Sequence, residues 1–189
     1  MDKEELSIAL LQPVQLQMVS KLVGLLESND INIGDIFYLC LHGKKQSAFR
    51  AAWMLEHLMV NQPQEFAPFI ATLFHTLPLV ENQSVLRHYV KIILLLTDKK
   101  VQSAYMAPIA IIDFNPIIEL LFNWLLDDCT LVATKVHCMQ SLANLSSRFQ
   151  WIGTELLPTI SYLESKESIA FFARAKVIKK TLLKQIQNT

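Results

Sequence analysis

The side chains that could perform chemistry in this 189-residue chain are its histidines, its cysteines and a few paired acids. Histidine and cysteine bind metals or act as bases and nucleophiles, and such sites need several of these residues at defined spacing. The five histidines are His42, His57, His75, His88 and His137. No two of them stand four residues apart, the spacing that puts two ligands on one helix face. We therefore expect no metal site among them.

The cysteines form no metal-binding or catalytic pattern either. Cys40, Cys129 and Cys138 are odd in number, and no pair has metal-ligand spacing. His137 and Cys138 are neighbours in the chain, but on a helix they point to different faces. We expect three buried, structural thiols in a reducing, cytoplasmic compartment. Asp127 and Asp128, just before Cys129, are expected to cap the next helix.

The sequence motifs and the net charge exclude further classes of function. The chain contains four glycines and matches no nucleophile elbow, phosphate loop, zinc-protease helix or dinucleotide fingerprint. It has 17 basic and 17 acidic residues, so its net charge does not direct it to nucleic acid or anionic lipid. We expect a protein that is not an enzyme and that has no cofactor and no metal.

We expect no membrane segment and no secretion signal. The N-terminal sequence MDKEELSIALLQP opens with acidic residues, whereas a secretory signal places basic residues before an apolar stretch. The aliphatic run at residues 92–96 is far shorter than the about 20 residues that cross a bilayer. Segment 107–126 is longer, but several polar residues interrupt it.

The elements that must position these side chains are helices. In segment 130–148 the polar residues recur with helical spacing, at Thr130, Thr134, His137, Ser141, Asn144 and Arg148. This period predicts a helix with one polar stripe, and no segment alternates with period two. Pro63, Pro68, Pro116 and Pro158 are expected in the first turns of helices, where a missing N–H costs nothing. For Pro158 the expected start is at Thr154 and Glu155.

The helices form repeating pairs. Four segments place a basic residue before a long apolar face: AFRAAWMLEHL, VLRHYVKIILL, ATKVHCMQSLANL and FARAKVIKKTLL. The basic markers are Arg50, Arg87, Lys135 and Arg174, which stand 37, 48 and 39 residues apart. Each segment follows another apolar helix. Two helices in a unit of about 40 residues are typical of an α-solenoid.

This pattern resembles the HEAT-repeat family, with armadillo repeats close behind. The VLR, ATK and FAR entries to the second helices and the early prolines of the first helices carry the resemblance, over about residues 31–187. It implies an all-α superhelix, a HEAT/armadillo-like solenoid of about four helix pairs, with N-terminal helices over about residues 1–30. We expect one domain over residues 1–189. An irregular helical bundle is the alternative fold.

The charges are sorted between the helices of each pair. The second helices and their flanking turns, taken as 44–60, 84–102, 130–148 and 168–187, hold 14 of the 17 basic and two of the 17 acidic residues. In the family that the chain resembles, second helices line the concave face, which implies a basic inner surface. A solvated capping helix would also explain the lysines of the last segment.

The expected function is a non-enzymatic interaction scaffold for a protein partner with an acidic or extended segment. The candidate binding residues are Arg50, His57, Arg87, His88, Lys91 and Lys135. Ser141 and Asn144 are expected to add hydrogen bonds to the partner.

Two other functions stay open. The expected architecture and the charge sorting also resemble those of the HEAT-like DNA alkylation-repair glycosylases. This resemblance implies nucleic-acid binding near Asp113 and the tryptophans Trp53, Trp124 and Trp151. No catalytic motif of that family aligns here, and core packing is the other expectation for the tryptophans. The third function is a structural, oligomer-forming repeat protein, for which the apolar N-terminal segment LSIALLQP, residues 6–13, is the candidate contact.

Overall fold

The computed structural model describes residues 2–11, 24 and 31–187. In these ranges the chain is helical and has no strand, which agrees with the predicted all-α class. The chain divides into two compact units, residues 1–89 with 104–108 and residues 90–103 with 109–189. The single domain over 1–189 stays a prediction. Most of the expected N-terminal cap, residues 1–30, lies outside the described residues.

The first unit contains the first predicted helix pair, the first helix of the second pair and the beginning of that pair's second helix. Among the described residues its helices are α1 (Lys3–Leu11), α2 (Ile33–His42), α3 (Lys45–Asn61), α4 (Pro63–Phe66), α5 (Ile70–Thr76) and the first part of α6 (Gln83–Leu96). Short 3-10 turns, Ala67–Phe69 and Leu77–Leu79, follow α4 and α5. Asp2 and Glu5 start α1 with a reciprocal capping box, in which each side chain accepts from the other residue's backbone N–H, at 2.8 and 3.0 Å.

The core of the first unit forms where α2 packs against α3. The alanines Ala48, Ala51 and Ala52 are buried on α3, and such small side chains allow close approach of two helices. From α2, the ring of Phe37 contacts the rings of Phe66 and Tyr89, with centroids 6.4 and 6.3 Å away. An aromatic cluster therefore joins α2, α4 and α6.

The second unit contains the other two predicted pairs. Its helices are the remainder of α6, α8 (Asn115–Leu126), α9 (Val132–Leu145), α10 (Trp151–Glu164) and α11 (Ile169–Gln187). The short helix α7 (Met106–Ala110) precedes α8, and its residues 106–108 belong to the first unit. Helix α9 contacts α8, α10 and α11, so it is buried on most sides, as the narrow polar stripe of its sequence predicts.

The helix that carries the aliphatic run is a core helix. Within residues 92–96, Ile92, Ile93 and Leu96 are buried and the two leucines between them are half-buried. Among the described helices no single one is long and apolar enough to cross a membrane. Two helical segments with a bend between them, Ser103–Ala110 and Asn115–Leu126, meet the length and composition requirement only when they are taken together.

One predicted helix start is wrong. Pro63 and Pro116 do lie in the first turns of α4 and α8, as expected. Pro158, however, lies inside α10, which begins seven residues earlier at Trp151. A proline inside a helix removes one backbone hydrogen bond and crowds the carbonyl four residues before it. The buried apolar face of α10, including Ile152, offsets this cost by packing along the whole helix.

Candidate interaction surface

Three of the six predicted binding residues are buried. Arg50 is 5%, His88 4% and Lys135 2% exposed. Their expected position on an accessible surface is therefore wrong, because a charged side chain is buried only where its own chain supplies a partner. The binding role of the six residues as a group stays a prediction.

Arg50 contacts the end of a neighbouring helix. Its Nη1 donates to the backbone carbonyl of Leu10, at 2.5 Å, in the last turn of α1. The last carbonyls of a helix have no partner in their own helix, and the partial negative charge there favours a cation. Arg50 on α3 thus fixes α1 within the first unit.

His88 forms a buried pair with an acid. Its Nδ1 lies 2.6 Å from Oε2 of Glu56, and the two side chains are 5% and 16% exposed. The ring of Phe49 lies 5.3 Å from the imidazole and covers it on one side. This contact joins α3 and α6, the second helices of the first two pairs.

Lys135 has a similar partner in the second unit. Its Nζ lies 2.5 Å from Oε1 of Glu167, with 2% and 12% of the side chains exposed. Glu167 stands two residues before α11, where a negative charge is favourable at the helix N-terminus. The pair therefore ties the start of α11 to α9.

The other three predicted binding residues are more accessible to solvent. His57, Arg87 and Lys91 are half-buried, and the ring of His57 stacks on Trp53 at 5.4 Å. Arg87 and Lys91 lie four residues apart on α6, so they share one face of that helix.

The two hydrogen-bonding residues expected to face the partner contact their own unit. Buried Ser141 donates to the carbonyl of His137, at 2.9 Å. The Nδ2 of Asn144 lies 3.4 Å from the carbonyl of Leu94 near the end of α6. Both side chains therefore satisfy helical carbonyls of the fold.

The cysteines differ in burial. Burial raises the pKa of the Cys40 thiol and of the Cys138 thiol. Cys129 is exposed, so the expectation of three buried thiols is wrong for this residue. Its turn keeps it at the surface, since Asp127 accepts from the Cys129 N–H at 3.0 Å. Within the described ranges no group of three potential metal ligands occurs.

Two of the residues considered for DNA chemistry, Asp113 and Trp151, have contacts close by in the fold. Asp113 accepts from the backbone N–H and the side-chain amide of Asn115, at 3.0 and 2.9 Å, and so orders the start of α8. Trp151 is half exposed and stacks on Phe122, with ring centroids 6.2 Å apart.

A groove of about 370 Å³ opens on the first unit. Its lining residues are Ile31, Ile33, Leu58, Gln62, Gln64, Glu65, Pro68 and Phe69. The one charged side chain in this lining is a carboxylate, Glu65, so the groove does not suit an acidic partner.

The outer face of α11 combines exposed apolar and basic side chains. Ile169, Phe172 and Leu183 are 88%, 48% and 49% exposed, and Lys176 and Lys180 are exposed between them. At 3.6 residues per turn these five positions fall within a sector of about 80°. They are called the α11 face below.

The opposite side of α11 holds the helix in place. Phe171, Ala175, Ile178 and Leu182 are buried, as their helical spacing predicts. At the edge of the α11 face, Nζ of Lys179 contacts Oε2 of Glu164 and Oγ of Ser161 on α10, at 3.0 and 3.1 Å. Lys179 therefore anchors the helix and does not belong to the face.

The apolar half of the α11 face was not predicted from the sequence. The charge sorting indicates the lysines of the last segment, which a solvated capping helix also explains. Ile169, Phe172 and Leu183 fall outside the buried stripe, and that position on the helix was the available signal. A solvated cap does not account for three large apolar side chains beside the lysines.

Comparison with known families agrees with this architecture. A family model described as a HEAT repeat domain matches residues 6–186. This chain belongs to the HEAT repeat domain family. No match occurs among the curated proteins, and none occurs among the solved structures. HEAT repeats typically mediate protein interactions and are generally non-enzymatic, so membership of the family suggests an interaction or scaffold module.

Proposed function

We propose that this HEAT repeat protein is a non-enzymatic scaffold that uses the α11 face to bind an acidic, amphipathic segment of a protein partner. The observation that carries the proposal is the combination of exposed Phe172, Ile169 and Leu183 with Lys176 and Lys180 on one face. A partner helix with apolar residues and carboxylates at helical spacing would match both features.

The two kinds of side chain would contribute differently to binding. Full burial of one large apolar side chain contributes about 1.5–3 kcal/mol, so Phe172 and its apolar neighbours would supply most of the affinity. The lysines would speed the encounter and select acidic partners, and their effect would weaken with salt. No acidic residue within α11 opposes this field.

The proposed binding surface differs from the surface that the charge sorting suggested. Arg50, His88 and Lys135 are engaged inside the fold, so the accessible basic residues of the last helix take their place. Half-buried Arg87 and Lys91 remain candidates for a second contact. The cytoplasmic location stays part of the proposal, and three free thiols suit a reducing compartment.

A fluorescence anisotropy titration tests the proposal. The probe is a labelled synthetic helix with leucines on one face and glutamates at its edges, and the titrant is the full chain at low salt. We expect wild-type protein to bind and the double variant Lys176→Glu/Lys180→Glu to lose at least about tenfold in affinity, or 1.4 kcal/mol.

The matched control reverses two other lysines. Lys44 and Lys45 are exposed at the start of α3, so Lys44→Glu/Lys45→Glu changes the net charge equally and should bind like wild type. Equal losses in both variants would show a general charge effect and overturn the proposed site. Labelled duplex DNA is the second probe: tighter binding to DNA than to the peptide, falling steeply with salt, would favour the nucleic-acid alternative.

A further inference from the structure

The two units carry opposite charge. The first unit contains nine acidic and six basic residues, a formal charge of −3. The second contains eight acidic and 11 basic residues, a formal charge of +3. The whole chain is neutral, so net charge does not keep two copies apart at neutral pH. The first unit of one copy would attract the second unit of another.

Helix α1 has the properties expected of a ligand for the α11 face. Glu4 and Glu5 are exposed in its first turn, and Ile8 is 60% exposed one turn further on. Leu6 and Leu10 are buried on the opposite side, which holds the helix in the first unit. The outer face of α1 is thus acidic and apolar, whereas the α11 face is basic and apolar.

The two faces also agree in length. The nine residues of α1 span about 13 Å, and the 12 residues from Phe172 to Leu183 advance about 16 Å along α11. Ile8 could therefore pack beside the large apolar side chains of α11 while Glu4 lies within reach of Lys176 or Lys180. Each face would cover apolar side chains that α1 and α11 otherwise expose to water.

We propose that the partner of the α11 face is helix α1 of a second copy of this chain, so that copies associate head to tail. This inference rests on the proposed function, because it names the acidic segment that the α11 face binds. The contact joins two different patches, so each added copy presents a further α1 and a further α11 face. Association should therefore grow with protein concentration and should weaken with salt.

Sedimentation velocity of the full chain tests the inference. Wild-type protein should shift from monomer to larger species as its concentration rises at about 50 mM salt, and the shift should shrink at about 500 mM. The single-face variants Glu4→Lys and Lys176→Glu/Lys180→Glu should each stay monomeric alone. Far-UV circular dichroism and thermal unfolding check that both variants fold.

Mixing the two variants supplies the decisive result. In the mixture, the lysine introduced at position 4 of one variant meets the glutamates introduced on the α11 face of the other, and the remaining wild-type faces also match. Association should therefore return when both are combined, although neither associates alone. Glu155→Lys, which reverses an exposed acid on α10, should associate like wild type.

The possible results distinguish a failure of the self-association inference from a failure of the proposed function. If the acidic peptide binds the α11 face but wild-type chains stay monomeric at every concentration, the self-association inference fails and the proposed function stands. If neither the peptide nor a second copy binds, both fail. Association that persists in both variants, or a mixture that stays monomeric, would also overturn the head-to-tail contact.

Discussion

Arg50 and Lys135 carry positive charge into the interior, and each meets an acceptor on another part of the chain. The guanidinium of Arg50 contacts a carbonyl at the end of α1, and the ammonium of Lys135 contacts Glu167 before α11. A basic residue at the start of a second helix can therefore serve to tie neighbouring helices together. Burial of such a charge is stable only while its partner is present.

The buried Lys135–Glu167 ion pair predicts how replacing one partner changes the free energy of unfolding. Glu167→Gln leaves the lysine buried without its counter-charge and should lower the free energy of unfolding by about 3 kcal/mol. Urea denaturation measures the loss, and Lys166→Met, which removes an exposed cation next in the chain, should change it little. The double variant Lys135→Met/Glu167→Gln should recover most of the loss. Equal stability of Glu167→Gln and Lys166→Met would contradict the account.

Burial of two thiols predicts a pH dependence. The pKa values of Cys40 and Cys138 are raised in the fold from the ordinary value of 9.0, chiefly by loss of water around the thiolate. The unfolded chain releases these protons at lower pH than the folded chain does. The stabilisation is therefore complete below pH 9 and is lost as the pH rises, by up to about 1.4 kcal/mol per pH unit for each thiol.

Urea denaturation at neutral pH and at about pH 10 measures this slope. Cys138→Ala should reduce the slope, because it removes one of the protons linked to unfolding; burial also raises the pKa of Tyr89 and of Tyr105, and their share of the slope should remain. Cys129→Ser alters an exposed thiol and should leave the slope unchanged. A slope that Cys138→Ala does not alter would show that the buried thiol is not linked to unfolding.

At the scale of helices, periodicity predicted more than local start signals did. The second helices appear where a basic marker precedes an apolar face, because a helical period over 14 or more residues leaves little choice of structure. Thr154, Glu155 and Pro158 indicated a helix start, yet α10 runs through them. Packing of its apolar face outweighed the local preference of one proline.

The turn between α2 and α3 depends on a glycine. A methyl group added at Gly43 would lie 2.5 Å from the carbonyl oxygen of Leu39 and 2.9 Å from Oγ of Ser47. Gly43→Ala should therefore force the two helices apart locally and lower the free energy of unfolding by about 1–3 kcal/mol. Thermal and urea unfolding measure the change. Gly24→Ala, where the methyl group meets nothing within 4 Å, is the control, and equal effects at both positions would refute the steric argument.

At the scale of the whole molecule, the fold class was predictable and the site was predictable only in part. Four helix pairs repeat the same sequence pattern at intervals of about 40 residues. A wrong prediction for one helix therefore does not change the predicted architecture. Whether a given lysine is exposed depends instead on residues that are far away in the sequence. Lys135 is buried because Glu167, 32 positions away, reaches it, whereas Lys176 has the same residue type and is exposed. Charge sorting alone could not separate the two.

The central claim is that the α11 face binds an acidic, amphipathic protein segment. The most direct measurement compares the affinity of the labelled acidic helix for wild type, Lys176→Glu/Lys180→Glu and Phe172→Ala, together with thermal unfolding of each. Both variants should lose at least about tenfold in affinity and keep the unfolding temperature of wild type, because these side chains are exposed. Unchanged affinity in both variants would contradict the claim, and so would a loss of affinity that merely follows a loss of stability.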